Sequence, residues 1–256
     1  MKGFLKIWFV VAAWFIVTGV SGSNTAQLNQ KFVIYFLSGD MTGWKQTVDS
    51  LRQTRLDAAT ELVLLYGEYG LIGNYLGAKQ MELAEAELPF FEARIDKALK
   101  RQPNDATLHA FSAALIAYKI ALQPWKAPFY SRSHSENLRK AIQFGGNLGL
   151  PLVEQGNSLY FRPSLFGGDK QASVAFYERA FEYYRHRERQ HWMYYNVGAW
   201  LAQVYVRQGN KRKAEMLYLQ LLKEAPGFKW VKDDLLPALR AGKNGPDYFS
   251  GQETQK

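Results

Sequence analysis

The chain has no cysteine in its 256 residues. That excludes disulfide staples, cysteine-ligated zinc, a thiol nucleophile and the lipid-modified cysteine of a bacterial lipoprotein. Charge of one sign never accumulates in a long run, and at 21% charged residues and 47% hydrophobic residues the body is not a disordered polyelectrolyte. Lys and Arg do outnumber Asp and Glu, 32 to 23. The excess is scattered, with acids between, so it predicts a generally basic surface and no nucleic-acid partner. Strand signals are also scarce. No segment sustains an alternation of β-branched and polar residues, and the one Asn-Gly pair, Asn244-Gly245, stands in the tail.

What is present begins with an apolar leader, MKGFLKIWFVVAAWFIVTGVSGS. Lys2 and Lys6 form a short positive region, and residues 7–20 are apolar apart from Thr18 and Gly19. Ser21, Gly22 and Ser23 are small, as a signal peptidase requires. A signal peptide over residues 1–23 is expected, cut after Gly22 or Ser23, with an exported, periplasmic body. The rival is an uncleaved anchor, the one route to a membrane, but a spanning helix wants about 20 apolar residues.

From residue 24 onward the apolar spacing is helical. Leu108, Phe111, Ala114, Leu115, Tyr118 and Leu122 mark one face, and Leu217, Tyr218, Leu221 and Leu222 another. The clearest repeat unit is residues 195–228, YNVGAWLAQVYVRQGNKRKAEMLYLQLLKEAPGF. It resembles the tetratricopeptide repeat, W-x2-L-G-x2-Y followed by Ala, an aromatic and Pro. Leu201, Ala202, Tyr205, Ala214, Tyr218 and Pro226 fill six of the positions, and Gly198 stands where the family has Trp. The resemblance implies helical hairpins stacked into a right-handed superhelix.

Within that reading, the double glycine of FRPSLFGGDKQASVAFYERA (residues 161–180) is a turn between two helices. Gly168-Asp169 sits where Gly209-Asn210 sits, and Ser173, Tyr177 and Ala180 then match Ala214, Tyr218 and Leu221. Gly39-Asp40 repeats the phase, with Trp44, Val48 and Leu51. A phosphate-binding loop would need a following Gly-Lys-Ser/Thr, which is absent. Gly39, Gly168, Asp169 and Gly209 are therefore expected as structural turns, with a left-handed glycine at Gly209 and at one of Gly167-Gly168. A helix over residues 106–122 is expected to be capped by Asn104-Asp105. A loop containing Pro124 and Pro128 should follow through about Ser133, then a short helix over 138–144. Residues 150–161 form a helix cut short by Pro163. About five hairpins fill residues 24–242, residues 230–240 cap the stack, and 243–256 form a loose tail.

The stretch GxxLYFRPSLFGGDKxxxxxFYxRA, residues 156–180, is also similar to exported helical-repeat proteins of bacteria. Among these are the periplasmic T-components that partner tripartite ATP-independent transporters. That resemblance implies a small-molecule or lipid binder as the alternative function.

Candidate chemistry is thin. Ser131, Ser133, His134, Ser135 and Glu136 are sequence neighbours, which rarely form a triad, and read as a polar loop with Ser133 or Ser135 capping the next helix. His186 and His191 lie five apart among arginines, the wrong spacing for a metal, and read as a solvated connector. His109 reads as a core histidine, and Glu82, Glu85 and Glu87 as a solvated helix face. No catalytic residue, metal ligand or cofactor is expected.

The fold class expected is all-α, a tetratricopeptide-like solenoid of about five hairpins with a C-terminal capping helix. The function expected is a protein-interaction scaffold that takes a protein or extended peptide on its concave face. Asn196, Gln203 and Arg207 of the last repeat, Tyr118 of the third, and Gln155 and Arg162 of the fourth are the candidate binding residues. A small apolar ligand is the other partner considered.

Overall fold

The computed structural model describes residues 20–243, with side chains from residue 24 onward. Residues 1–19 of the expected leader and 244–256 of the expected tail lie outside the described residues, and the expected cleavage site falls inside the first helix.

All regular structure among the described residues is helical. Ten helices pair as five hairpins: α1 (Val20–Ser38) with α2 (Met41–Arg52), α3 (Ala58–Gly77) with α4 (Met81–Arg101), α5 (Ala106–Leu122) with α6 (Ala127–Gly145), α7 (Gly149–Phe161) with α8 (Lys170–Arg187), and α9 (Trp192–Arg207) with α10 (Lys211–Glu224). A π-helical segment, Trp230–Leu235, and α11 (Leu236–Arg240) close the chain. Side chains fix the antiparallel sense of each pair. Tyr194 at the start of α9 donates to Glu224 at the end of α10 (2.9 Å). Ala106 at the start of α5 lies against Gly145 at the end of α6, and Gly149 at the start of α7 lies against Tyr184 near the end of α8.

The sequence explains why the helices stop where they do. Gly39, Gly209 and Gly242 have φ of +71°, +80° and +72°, and Lys79 takes the same role at +58°. After each, the next backbone N–H returns to the carbonyl five residues earlier: Asp40 to Tyr35, Gln80 to Tyr75, Asn210 to Tyr205, Lys243 to Ala238. This bond satisfies a carbonyl that the helix end would leave bare. Asp40, Asp57, Asp105 and Asp169 then cap the following helices through their carboxylates. In the α7–α8 connection it is Gly167, at φ +90°, that takes the left-handed conformation. Gly168 is needed for a different reason: a Cβ there would lie 1.8 Å from the Arg162 carbonyl oxygen.

Four of the five second helices, α2, α4, α8 and α10, bury residues at one spacing after the turn: Trp44 and Val48; Ala84, Leu88 and Phe91; Ser173, Tyr177 and Ala180; Ala214, Tyr218 and Leu221. Gly198 leaves no room for a larger side chain: a Cβ there would already meet Phe181 and Leu221 at 2.9 and 3.0 Å. Gly209→Ala should destabilise by about 1 kcal/mol in denaturant unfolding, because alanine resists positive φ. Lys79→Gly should stabilise by up to about 1 kcal/mol for the same reason.

One helix is longer than its sequence suggested. A single 3-10 turn, Pro124–Lys126, leads directly into α6 at Ala127. Pro128 lies in the first turn of α6, where its missing N–H has no partner to lose, so it starts the helix and does not break it. Ser133 and Ser135 are thus inside α6 and cap nothing.

The first and fifth hairpins meet. Phe36, near the end of α1, lies 5.4 Å from Trp192 at the start of α9, 5.5 Å from Phe228 and 6.4 Å from Trp230 (ring centroids). Trp44 of α2 and Tyr69 of α3 reach the same Trp192, at 5.1 and 6.3 Å. Residues 63–69 of α3, 108–116 of α5 and 201–206 of α9 are consequently buried without interruption, all round the helix.

A charged cluster lies among the first two hairpins. Glu68 is fully buried and accepts from Arg52 Nε (2.8 Å) and Arg94 Nε (3.0 Å). Glu87 lies 2.7 Å from Arg52 Nη1 and 3.5 Å from Lys45 Nζ. Glu87 is therefore not on a solvated face: it is 5% exposed and belongs to this cluster.

Candidate functional site

The residues expected on a concave face do not converge there. Gln203 is only 3% exposed, and its amide nitrogen has no hydrogen-bond partner. Buried to that degree, its side chain is not displayed to an external partner. Tyr118 is half-buried and donates to the Tyr69 carbonyl at 3.1 Å. Asn196 is half-buried with its amide toward the Met193 sulfur at 3.7 Å. Arg207 is exposed in the last turn of α9.

Gln155 and Arg162 do come together, on the outside. They line a groove of about 490 Å³ where α6 and α8 straddle α7, with Leu138, Ile142, Leu159 and Phe176 as its apolar lining. Arg162 donates to Ser158 Oγ (2.8 Å) and stands 3.2 Å from His134 Nδ1. Burial first, and then the Arg162 charge, lower the His134 pKa to about 4, so His134 is neutral at pH 7.

A second, larger groove of about 870 Å³ runs between α8 and α10 above α9. Leu201 and Tyr205 of α9 form its floor, Phe181 and Leu217 its walls, and Met216 and Leu219 its exposed apolar rim. Glu178, Glu182 and Arg185 stand on the α8 side, Lys213 and Lys223 on the α10 side. Tyr205 donates to Glu178 (2.5 Å) under the Lys213 ammonium, 5.2 Å above its ring. Burial and the Glu178 bond raise the Tyr205 pKa, so the phenol stays protonated. Sequence reasoning missed this groove because it sought binding residues on a concave face. The signal was there: Met216 and Leu219 are apolar but lie off the stripe formed by Ala214, Leu217, Tyr218 and Leu221.

The interior holds a polar network of its own. Tyr69 (2.8 Å) and Asn157 (2.9 Å) donate to one oxygen of Glu154, which is 3% exposed, and Tyr177 donates to Asn157 (2.6 Å). Burial raises the Glu154 pKa to about 7, against the two hydrogen bonds that lower it. Folded Glu154 thus holds its proton above the unfolded value. Its contribution to stability is complete below the unfolded pKa and is lost as pH rises through 7, to a total of about 3 kcal/mol. Glu154→Gln should remove this slope. The two unfolding free energies should converge at low pH and diverge toward pH 8, with the variant the more stable.

His191 runs the other way. It caps α9 through Nδ1, accepting from Met193 N–H at 3.2 Å, and burial lowers its pKa to about 3. Its stabilisation is present above the unfolded pKa and is lost as pH falls toward 3. It is buried, not part of a solvated connector. His109 is a core residue, 2.9 Å from Asn137 Oδ1 and from the Pro103 carbonyl. Glu136 pairs with Lys140 on the surface of α6 (3.2 Å).

Among the described residues no group of three or more His, Asp or Glu could hold a metal ion, and no helix is long and apolar enough to cross a membrane. The chain matches no family model, no curated protein and no solved structure.

Proposed function

We propose that the protein is an exported scaffold of tetratricopeptide-like hairpins, wound into a superhelix tight enough for the fifth hairpin to rest on the first, and that it binds a protein partner on its outside. The observation that carries this reading is the groove between α8 and α10: an apolar floor and rim, with Glu178, Glu182 and Arg185 on one side and Lys213 and Lys223 on the other. Such a channel suits an amphipathic helix, whose apolar ridge lies on Leu201, Met216 and Leu219 while its flanks meet the charges. Both grooves are open along their length, which fits a peptide segment better than a small apolar ligand, whose sites are usually enclosed. The apolar leader with its small terminal residues supports export, and the periplasm is the compartment proposed.

The test is site-specific photo-crosslinking in the native envelope, with the reactive residue at Leu219 or, as control, at Lys97 on α4. Leu219 should yield a discrete adduct that Lys97 does not. Lys213→Glu with Lys223→Glu should abolish the adduct while leaving the unfolding midpoint within a degree or two. Equal adducts at the two positions, or none at Leu219, would remove the groove from consideration.

A further inference from the structure

Among the described residues, the four most exposed large hydrophobic side chains are Leu165 (88%), Phe129 (77%), Trp125 and Phe166 (both 69%). They are not scattered. Trp125 and Phe129 belong to the α5–α6 connection and the first turn of α6; Leu165 and Phe166 belong to the α7–α8 connection. Because each hairpin is antiparallel and α7 runs antiparallel to α6, these two connections lie at the same end of neighbouring hairpins. Arg162 at the end of α7, 3.2 Å from His134 in the second turn of α6, fixes their proximity, and Gly167 shares a groove lining with Ser135.

The charges around this apolar tip are almost all of one sign. From Gln123 to Ser135 the chain has no acid, and it supplies Lys126 and Arg132. The second connection supplies Arg162 and Lys170, and its single acid, Asp169, is committed to the Ala172 amide of α8 (2.8 Å). Lys126 lies 5.0 Å over the Trp125 ring. A core-directed residue would not be left this bare. A contact between proteins typically centres on apolar groups rimmed by charges of both signs. Exposed Trp and Phe on connections, beside Lys and Arg and with the nearby acids Asp169 and Glu85 already engaged by the Ala172 amide and Gln123, match the chemistry of a bilayer interface. There, aromatic rings settle at headgroup depth and cations meet anionic headgroups.

We propose that this end of the third and fourth hairpins docks on an anionic lipid bilayer, with Trp125, Phe129, Leu165 and Phe166 entering the interface and Lys126, Arg132 and Lys170 meeting the headgroups. This contact is independent of the α8–α10 groove.

The absence of cysteine makes the test direct. A single cysteine at Leu165, carrying an environment-sensitive nitrobenzoxadiazole dye, is compared in the full chain with the same dye at Lys97. With phosphatidylcholine vesicles containing phosphatidylglycerol, the dye at 165 should brighten and shift to the blue, and the dye at 97 should not. Without phosphatidylglycerol, or at high salt, the change should shrink. Lys126→Glu, Arg132→Glu and Lys170→Glu together should weaken the partition at least about tenfold. Arg132 and Lys170 are exposed and Lys126 is half-buried, so circular dichroism should show the fold intact in the triple variant. No change at 165 would overturn the proposal, as would equal changes at both positions. Brightening that follows protein concentration without lipid would overturn it too, and would assign the patch to self-association.

Discussion

Trp192→Ala is expected to lower stability by about 3–5 kcal/mol, the usual range for truncating a large buried aromatic residue. The expectation is strong because one side chain joins three helices of the first two hairpins to the fifth. The indole meets Phe36 of α1, Trp44 of α2 and Tyr69 of α3, and it lies 3.1 Å from where a Cβ at Gly70 would stand. No residue near it can shift to fill the void without breaking another of these contacts. Fluorescence from Trp44 and Trp230 should be lost in the same unfolding transition as helicity, since both rings belong to that seam. Trp192→Phe should cost markedly less. The indole N–H is buried without a hydrogen-bond partner, and phenylalanine removes that unpaired donor while keeping most of the apolar contact.

Glu68→Ala is expected to cost a similar amount, about 3–5 kcal/mol, by a different route. Breaking a buried ion pair leaves Arg94 without its counter-charge, while Arg52 retains Glu87 at 2.7 Å. Arg52 and Arg94 both converge on Glu68, and the Arg52 side chain is only 10% exposed, so it cannot simply turn to water. The loss should persist at high salt, because a pair out of contact with solvent is screened little. Glu215→Ala makes the contrast. It breaks a surface pair with Arg240 (2.9 Å; side chains 41% and 58% exposed), and should change stability by no more than about 1 kcal/mol.

The hairpins and their turns were legible because they are local. Gly39, Gly209 and the aspartate caps act within five residues, and the spacing of Ala214, Tyr218 and Leu221 from Gly209 is repeated elsewhere in the chain. The α3–α4 turn was harder to see because Lys79 holds a conformation that normally advertises itself through glycine. Pro124 and Pro128 misled in the other direction, since proline at a helix start and proline in a loop look alike in sequence. The candidate site was mostly illegible, and for a physical reason. Which residues are buried depends on contacts between distant hairpins: Phe36 and Trp192, which meet, are 156 positions apart in the chain. No local spacing encodes that encounter. Met216 and Leu219, which had no evident structural duty, are exposed on the second helix of the fifth hairpin.

Pulsed dipolar spectroscopy between spin labels at Ser38→Cys and Lys229→Cys measures that encounter. Both positions are exposed, and each lies within two residues of the rings that meet at Phe36 and Phe228. Packed helices lie about 8–10 Å apart, so an open stack of five hairpins would separate its first and last members by roughly 40 Å. A single narrow distribution well below that separation is the result expected if the first and fifth hairpins share one core. A broad distribution at or beyond it would show that they do not meet, and would return Gln203, Asn196 and Arg207 to an open inner face.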